Sequence, residues 1–216
     1  MSMDLLARLK QRPMLCDGAM GTLLYSKCIF INRCYDELNL AMPDLIREIH
    51  HDYYQAGADI VETNTFGANS FRLARHGCAE KTKAINIAGA TLAREAGKAF
   101  SGLVAGSVGP LGVRIEPLGK ISLDEAHDAF FQQISALVEG GVDLIILETF
   151  GYLDEIHQAI RAARDVNPDL PVVAQVTIDE DGNCLDGATP ETFAGNRRRQ
   201  AAGSPRLSSN RSAKRQ

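Results

Sequence analysis

The 216-residue chain has no Trp, only 6% aromatic residues, and five cysteines without a single CxxC pair. An odd, scattered set (Cys16, Cys28, Cys34, Cys78, Cys184) excludes a disulfide framework and a compact zinc knuckle, and implies free thiols. No apolar run approaches the roughly 18–20 residues a bilayer span requires. The opening "MSMDLLARLKQRP" has no apolar core of signal-peptide length ahead of its charges. The expectation is a cytoplasmic protein without a membrane partner. Acid is missing from the last 20 residues, which hold six Arg and one Lys. Those seven bases leave 16 of the 23 for residues 1–196, against 27 acids, a balance of −11. An acidic body is joined to a short basic tail.

What is present reads as alternation. Five short apolar segments recur: "PMLCDGAMGT", "ADIVETNTFG", "GLVAGSVGPLG", "VDLIILETFG" and "PVVAQVTIDEDG". Near-continuous hydrophobicity over four to six residues fits strands covered on both faces, as in a parallel sheet. Between them lie helical patterns. Over residues 122–139, Ser122 and Glu125 form a capping box, and Ala126, Ala129, Phe130, Ile134, Leu137 and Val138 make one apolar stripe ending at Gly140-Gly141. A second helix follows Pro43, with Leu45, Ile46, Ile49 and Tyr53. A third carries Leu153, Ile156, Ile160 and Ala163 up to Asn167-Pro168.

Strand–helix alternation means α/β with a parallel sheet, either doubly wound or a (β/α)8 barrel. Asp17, Glu62, Ser107, Glu148 and Asp179 all fall at C-terminal strand ends, which a barrel gathers around one mouth. "DGAMGT" is not GxGxxG, which argues against a dinucleotide-binding doubly wound sheet. The expected fold is therefore an incomplete TIM barrel of about five βα units. A sixth unit begins with Thr189 as N-cap, Pro190 at N1 and Phe193 on its apolar face.

Each motif has a plain reading beside a chemical one. "DGAMGT" is an acid on a glycine turn, suited to an ammonium or simply to a tight turn. The acids of "ETNTFGAN" and "LETF" bind a cation or amine, act as a base, or form salt bridges across the mouth. "GSVGPLG" shapes a pocket floor or turns the chain. His50, His51, His76, His127 and His157 lie away from strand ends and read as surface or packing residues.

Taken together, "CDGAMGT", "NRCYDELNL", "PDLIREIHHDYYQAGADIVETNTFGAN", "LVAGSVGPLGVRIEPLGKIS", "EGGVDLIILETF" and "PVVAQVTIDEDG" resemble the homocysteine S-methyltransferase domain. The likeness is in particular to the N-terminal module of bifunctional homocysteine S-methyltransferase/methylenetetrahydrofolate reductase proteins, over residues 14–193. The resemblance implies a (β/α)8 barrel with homocysteine as substrate. A zinc thiolate site in the mouth would activate the homocysteine sulfur toward a methyl group from a folate, a cobalamin, S-methylmethionine or a betaine. It assigns Asp17 and Gly18 to the amino-acid moiety and Glu148 to its ammonium, with Glu62, Thr63, Asn64 and Ser107 as further pocket residues. The family's three zinc cysteines, one after strand six and a "GGCC" pair after strand seven, have no counterpart here. Cys16 and Cys184 match none of them, so no metal ligand is assigned and no zinc is expected on this chain.

The family pattern leaves off near Asn196. The expected division is a partial barrel over residues 1–196 and a non-family tail over 197–216. The tail's basic, aperiodic composition predicts disorder, and a shifted frame or truncated gene is the expected origin. A polybasic arm for nucleic acid is the alternative, without aromatic residues for base stacking. Open barrel edges predict self-association. The overall expectation is a homocysteine S-methyltransferase by family that does not turn over on its own, the alternatives being a non-catalytic small-molecule-binding remnant or a nucleic-acid binder through the basic tail.

Overall fold

The computed structural model describes residues 5–201, with side chains described to residue 195. Four parallel strands stand in sequence order: β1 (Ile60–Glu62), β2 (Leu103–Val108), β3 (Leu144–Phe150) and β4 (Val172–Val176). Registers are simple, with Val61 beside Val104, Ser107 beside Ile146 and Ile146 beside Val173. Parallel neighbours in sequence order, each joined by a helical crossover, are the expected βα alternation.

The first expected strand is corrected. "PMLCDGAMGT" contributes a single parallel bridge, Cys16 to Ile60, and no strand of its own. Its pairing is confined to the amides of Asp59 and Ile60 on the Leu15 carbonyl and the amide of Asp17 on the Ile60 carbonyl. Pro13 lacks an N–H for the ladder, and the chain leaves the sheet at the Asp17-Gly18 turn, so no second bridge forms.

Period-two alternation separates the two faces of the sheet. Ile60, Leu103, Ala105, Leu144 and Ile146 share the inner face, and Leu5 of helix α1 (Leu5–Gln11) covers them. Val61, Val104, Val108, Ile145 and Leu147 face outward under the crossover helices. Three of those helices are where the apolar stripes predict them: α4 (Pro43–Gln55), α7 (Leu123–Glu139) and α8 (Leu153–Val166). Helix α6 (Thr82–Ala96) lies between α4 and α7. Ser122 and Glu125 make both halves of the capping box, which satisfies amides that the first turn leaves free. Phe130 is fully buried against Phe150, ring centroids 5.8 Å apart, tying α7 to the end of β3.

Short helices α2 (Met20–Ser26), α3 (Leu38–Ala41) and α5 (Ser70–Ala74) carry the loops over the C-terminal strand ends. Helix α9 spans Pro190–Ala201, begins beside Thr189, whose hydroxyl accepts the Thr192 amide at 3.3 Å, and passes residue 196. The expected tail lies otherwise outside the described residues, and with it the nucleic-acid alternative. None of the described helices is long and apolar enough to cross a membrane.

Candidate active site

Alternation along the strands puts Glu62, Ser107 and Glu148 on the inner face, at successive C-terminal ends. The Asp17 turn lies beside β1, where its carboxylate accepts the Glu62 amide at 3.0 Å. These four residues and Gly18, Thr63 and Asn64 line one cleft of about 550 Å³. All seven pocket residues expected from the sequence are therefore neighbours. Asp179, the fifth expected strand-end group, is not. It sits three residues past β4 in an exposed turn, bonded to the Glu180 amide, because the chain has already left the inner face.

A local irregularity aims Glu148. The β3–β4 register slips between Leu147 and Phe150, and Thr149 has φ of 65°, a left-handed conformation that costs a non-glycine residue free energy. Such bulges re-aim side chains next to functional sites. The Ser107 hydroxyl donates to Glu148 at 2.6 Å.

The carboxyl groups share one mouth, and burial there shifts the acidity of Asp17 and Glu62. Burial raises Asp17 to about 7, and the charge of Glu148 adds to the shift. Glu62 is raised well above the carboxylate range, first by burial and then by repulsion from Glu148, with which it shares a hydrogen bond.

Sequence reasoning missed the opposite wall. Cys34, Tyr35, Asp36, Phe66, Gly67, Arg72, Arg75 and His76 also line the cleft. Asp36 accepts the Gly67 amide at 2.9 Å, and a Cβ on Gly67 would stand 2.8 Å from its carboxylate, so this contact requires glycine. Arg72 lies over the Phe66 ring at 5.2 Å and donates to the Pro110 carbonyl. The signal was available in "NRCYDELNL" and "ETNTFGAN", the two segments that supply most of this wall. Burial pushes the Cys34 thiol up to about 11, which keeps it protonated and poorly nucleophilic.

Metal-binding capacity can be tested on the donor set. Among the described residues, no three His, Cys, Asp or Glu side chains stand together in a way that could hold a metal ion. Cys184 is buried in the loop after β4, its amide bonded to the Ala188 carbonyl, and it does not line the cleft. The described residues do not fit a zinc thiolate site.

The family model for homocysteine S-methyltransferase matches residues 14–205. Over 200 residues, 86% of the chain, the sequence is 33% identical to methionine synthase of Mycobacterium leprae (strain TN). It is 34% identical to methionine synthase of Mycobacterium tuberculosis (strain ATCC 25618 / H37Rv) over the same length. The matched spans are 16% and 17% of those proteins, so the chain corresponds to a small part of each. The backbone is similar to the crystal structure of homocysteine methyltransferase MmuM from Escherichia coli in its metallated form. There the TM-score is 0.77 at 28% identity, covering 88% of this chain and 72% of that one. The apo form gives a TM-score of 0.68. The four strands and the bridged Cys16 segment are accordingly an arc of the expected barrel.

Proposed function

Because the chain belongs to the homocysteine S-methyltransferase family, we propose that its cleft binds the amino-acid end of homocysteine, the step that precedes methyl transfer to the sulfur. The observation that carries this reading is the convergence of Asp17, Glu62 and Glu148 at one end of the sheet. Burial disfavours ionisation of Asp17 and Glu62, and three carboxyl groups in one mouth favour a bound cation. An ammonium supplies that cation.

Each residue then has a task. Glu148, held by the Ser107 hydroxyl, accepts from the ammonium. Asp17, anchored by the Glu62 amide, releases its proton as the cation arrives and becomes a second acceptor. Gly18 leaves its backbone open to the ligand. A Cβ there would approach the Tyr53 hydroxyl at 3.0 Å, and Tyr53 itself is held by the Ala19 carbonyl at 3.1 Å. Thr63 and Asn64 shape the pocket while their polar atoms serve the protein.

In the family, zinc would supply the thiolate form of the sulfur at neutral pH. The described residues furnish no donor set for it, so substrate binding is assigned to them and methyl transfer is not. Titration calorimetry with L-homocysteine tests the reading. Binding is expected, weakened at least tenfold by Glu148→Gln, with net proton release at pH 7. Absence of binding by the unmodified chain, or equal affinity in Glu148→Gln, overturns it.

A further inference from the structure

Glu148 is only as well placed as the serine that holds it, and the backbone of that serine is fixed by a directed set of hydrogen bonds. The Ser107 amide donates to Thr63 Oγ1 at 3.0 Å. Thr65 Oγ1 donates to the Ser107 carbonyl at 2.8 Å. The two threonine oxygens are 2.6 Å apart. Thr65 has spent its only proton on Ser107, so the bond between them must run from Thr63 to Thr65. Both backbone groups of Ser107 are thereby tied to side chains of the β1 loop, and its own proton goes to Glu148.

The loop is in turn held from outside the barrel. Gln133, on the outer helix α7 and fully buried, donates to the Thr65 carbonyl at 2.8 Å. Asn39 donates to the Asn64 carbonyl at 2.8 Å, and Asn86 to the Ala68 carbonyl at 2.8 Å. Three buried amides from three helices thus occupy carbonyls of one seven-residue loop. Buried donors are costly unless paired, and three such donors on the carbonyls of one loop rigidify it. Gln133 Oε1 and Asn86 Oδ1 have no partner among the described residues, so these two amides are placed for their donor ends.

We propose that Ser107 is the positioning residue for Glu148, its backbone fixed by Thr63 and Thr65 and, through the Thr65 carbonyl, by Gln133 on the outer helix. The role of Glu148 toward an ammonium rests on the reading above; the positioning does not. The ionisable groups facing Glu148 are Glu62 and Asp17, and Ser107 is the neutral donor among them. Removing that donor withdraws stabilisation from the charged form of the carboxyl pair.

The test follows the carboxyl groups directly. Glutamate carboxyl 13C labelling, assigned with Glu62→Gln, reports the titration midpoints of Glu62 and Glu148. Ser107→Ala is expected to raise the midpoint of the pair by about 1, a roughly tenfold change in proton affinity typical of a lost hydrogen bond to a charged group. Ser107→Thr, which keeps the hydroxyl, restores it. Ile134→Val on the same helix as Gln133 controls for a general loss of packing and leaves the midpoint unmoved. An unchanged midpoint in Ser107→Ala, or an equal change in Ile134→Val, overturns the proposal. Homocysteine affinity measured on the same variants separates the two readings. A chain that binds no homocysteine yet shows the carboxyl change refutes the function and keeps the positioning.

Discussion

Asp17 costs this protein stability, and the cost is measurable. Its carboxyl is raised from 3.8 to about 7 in the folded chain, chiefly by burial. A raised carboxyl means that the folded state binds the proton more tightly than the unfolded state. Stability therefore falls as pH rises from about 4 to about 7, and the full penalty is present above 7. The change of about 3 on the pH scale, at 1.36 kcal/mol each, sets an upper limit of about 4 kcal/mol. Residual hydration of the cleft reduces that to about 2 kcal/mol. Asp17→Asn removes the ionisation and keeps an oxygen that can accept the Glu62 amide. The variant should be more stable than the parent by about 2 kcal/mol at pH 8, or about 4–8 °C in Tm for a chain of this size. At pH 5 the gain should be less than half as large. Urea and thermal unfolding at the two pH values decide the matter. Destabilisation at pH 8, or an equal gain at both pH values, would refute the reasoning. A substituted carboxylate that raises stability while abolishing ligand binding is the usual exchange at a functional site.

Three further outcomes are expected. His50 is fully buried on α4 with neither ring nitrogen hydrogen-bonded among the described residues, and burial holds it down to about 4. A depressed histidine contributes stability that is lost as pH falls from 6.5 toward 4, so His50→Leu should flatten the unfolding profile over that window and add about 1 kcal/mol at pH 5; an unaltered profile by urea titration refutes this. Phe130→Ala should cost about 3–5 kcal/mol in urea unfolding, because it opens a cavity against Phe150 between α7 and β3, and a loss below 1 kcal/mol would mean the core closes around it. The dialysed protein should hold well under one equivalent of zinc by mass spectrometry of the metal, and stoichiometric zinc lost on Cys16→Ser or Cys184→Ser would contradict the donor arrangement.

Local chemistry was legible in the chain itself. The Ser122/Glu125 box, Pro43 and the Asn167-Pro168 stop act within a few residues, so α4, α7 and α8 begin and end close to where those signals stand. Period-two alternation is equally local, and once the sheet is parallel it carries Glu62, Ser107 and Glu148 to one mouth. The family motifs added the ligand that such a mouth would take. Other features depended on groups far apart in sequence. The bridge at Cys16 is shorter than its apolar run suggests because Pro13 and the Asp17-Gly18 turn bracket it. Asp179 left the cleft because β4 ended first. The acidity of Asp17 arises from burial and from Glu148, 131 positions away, and no local pattern encodes a shared low-polarity mouth. Gln133 reads in the sequence as one more polar residue on an amphipathic helix. Only packing shows its side chain buried and donating to Thr65, because hydrogen bonds between distant segments are decided by where the folded backbone brings them.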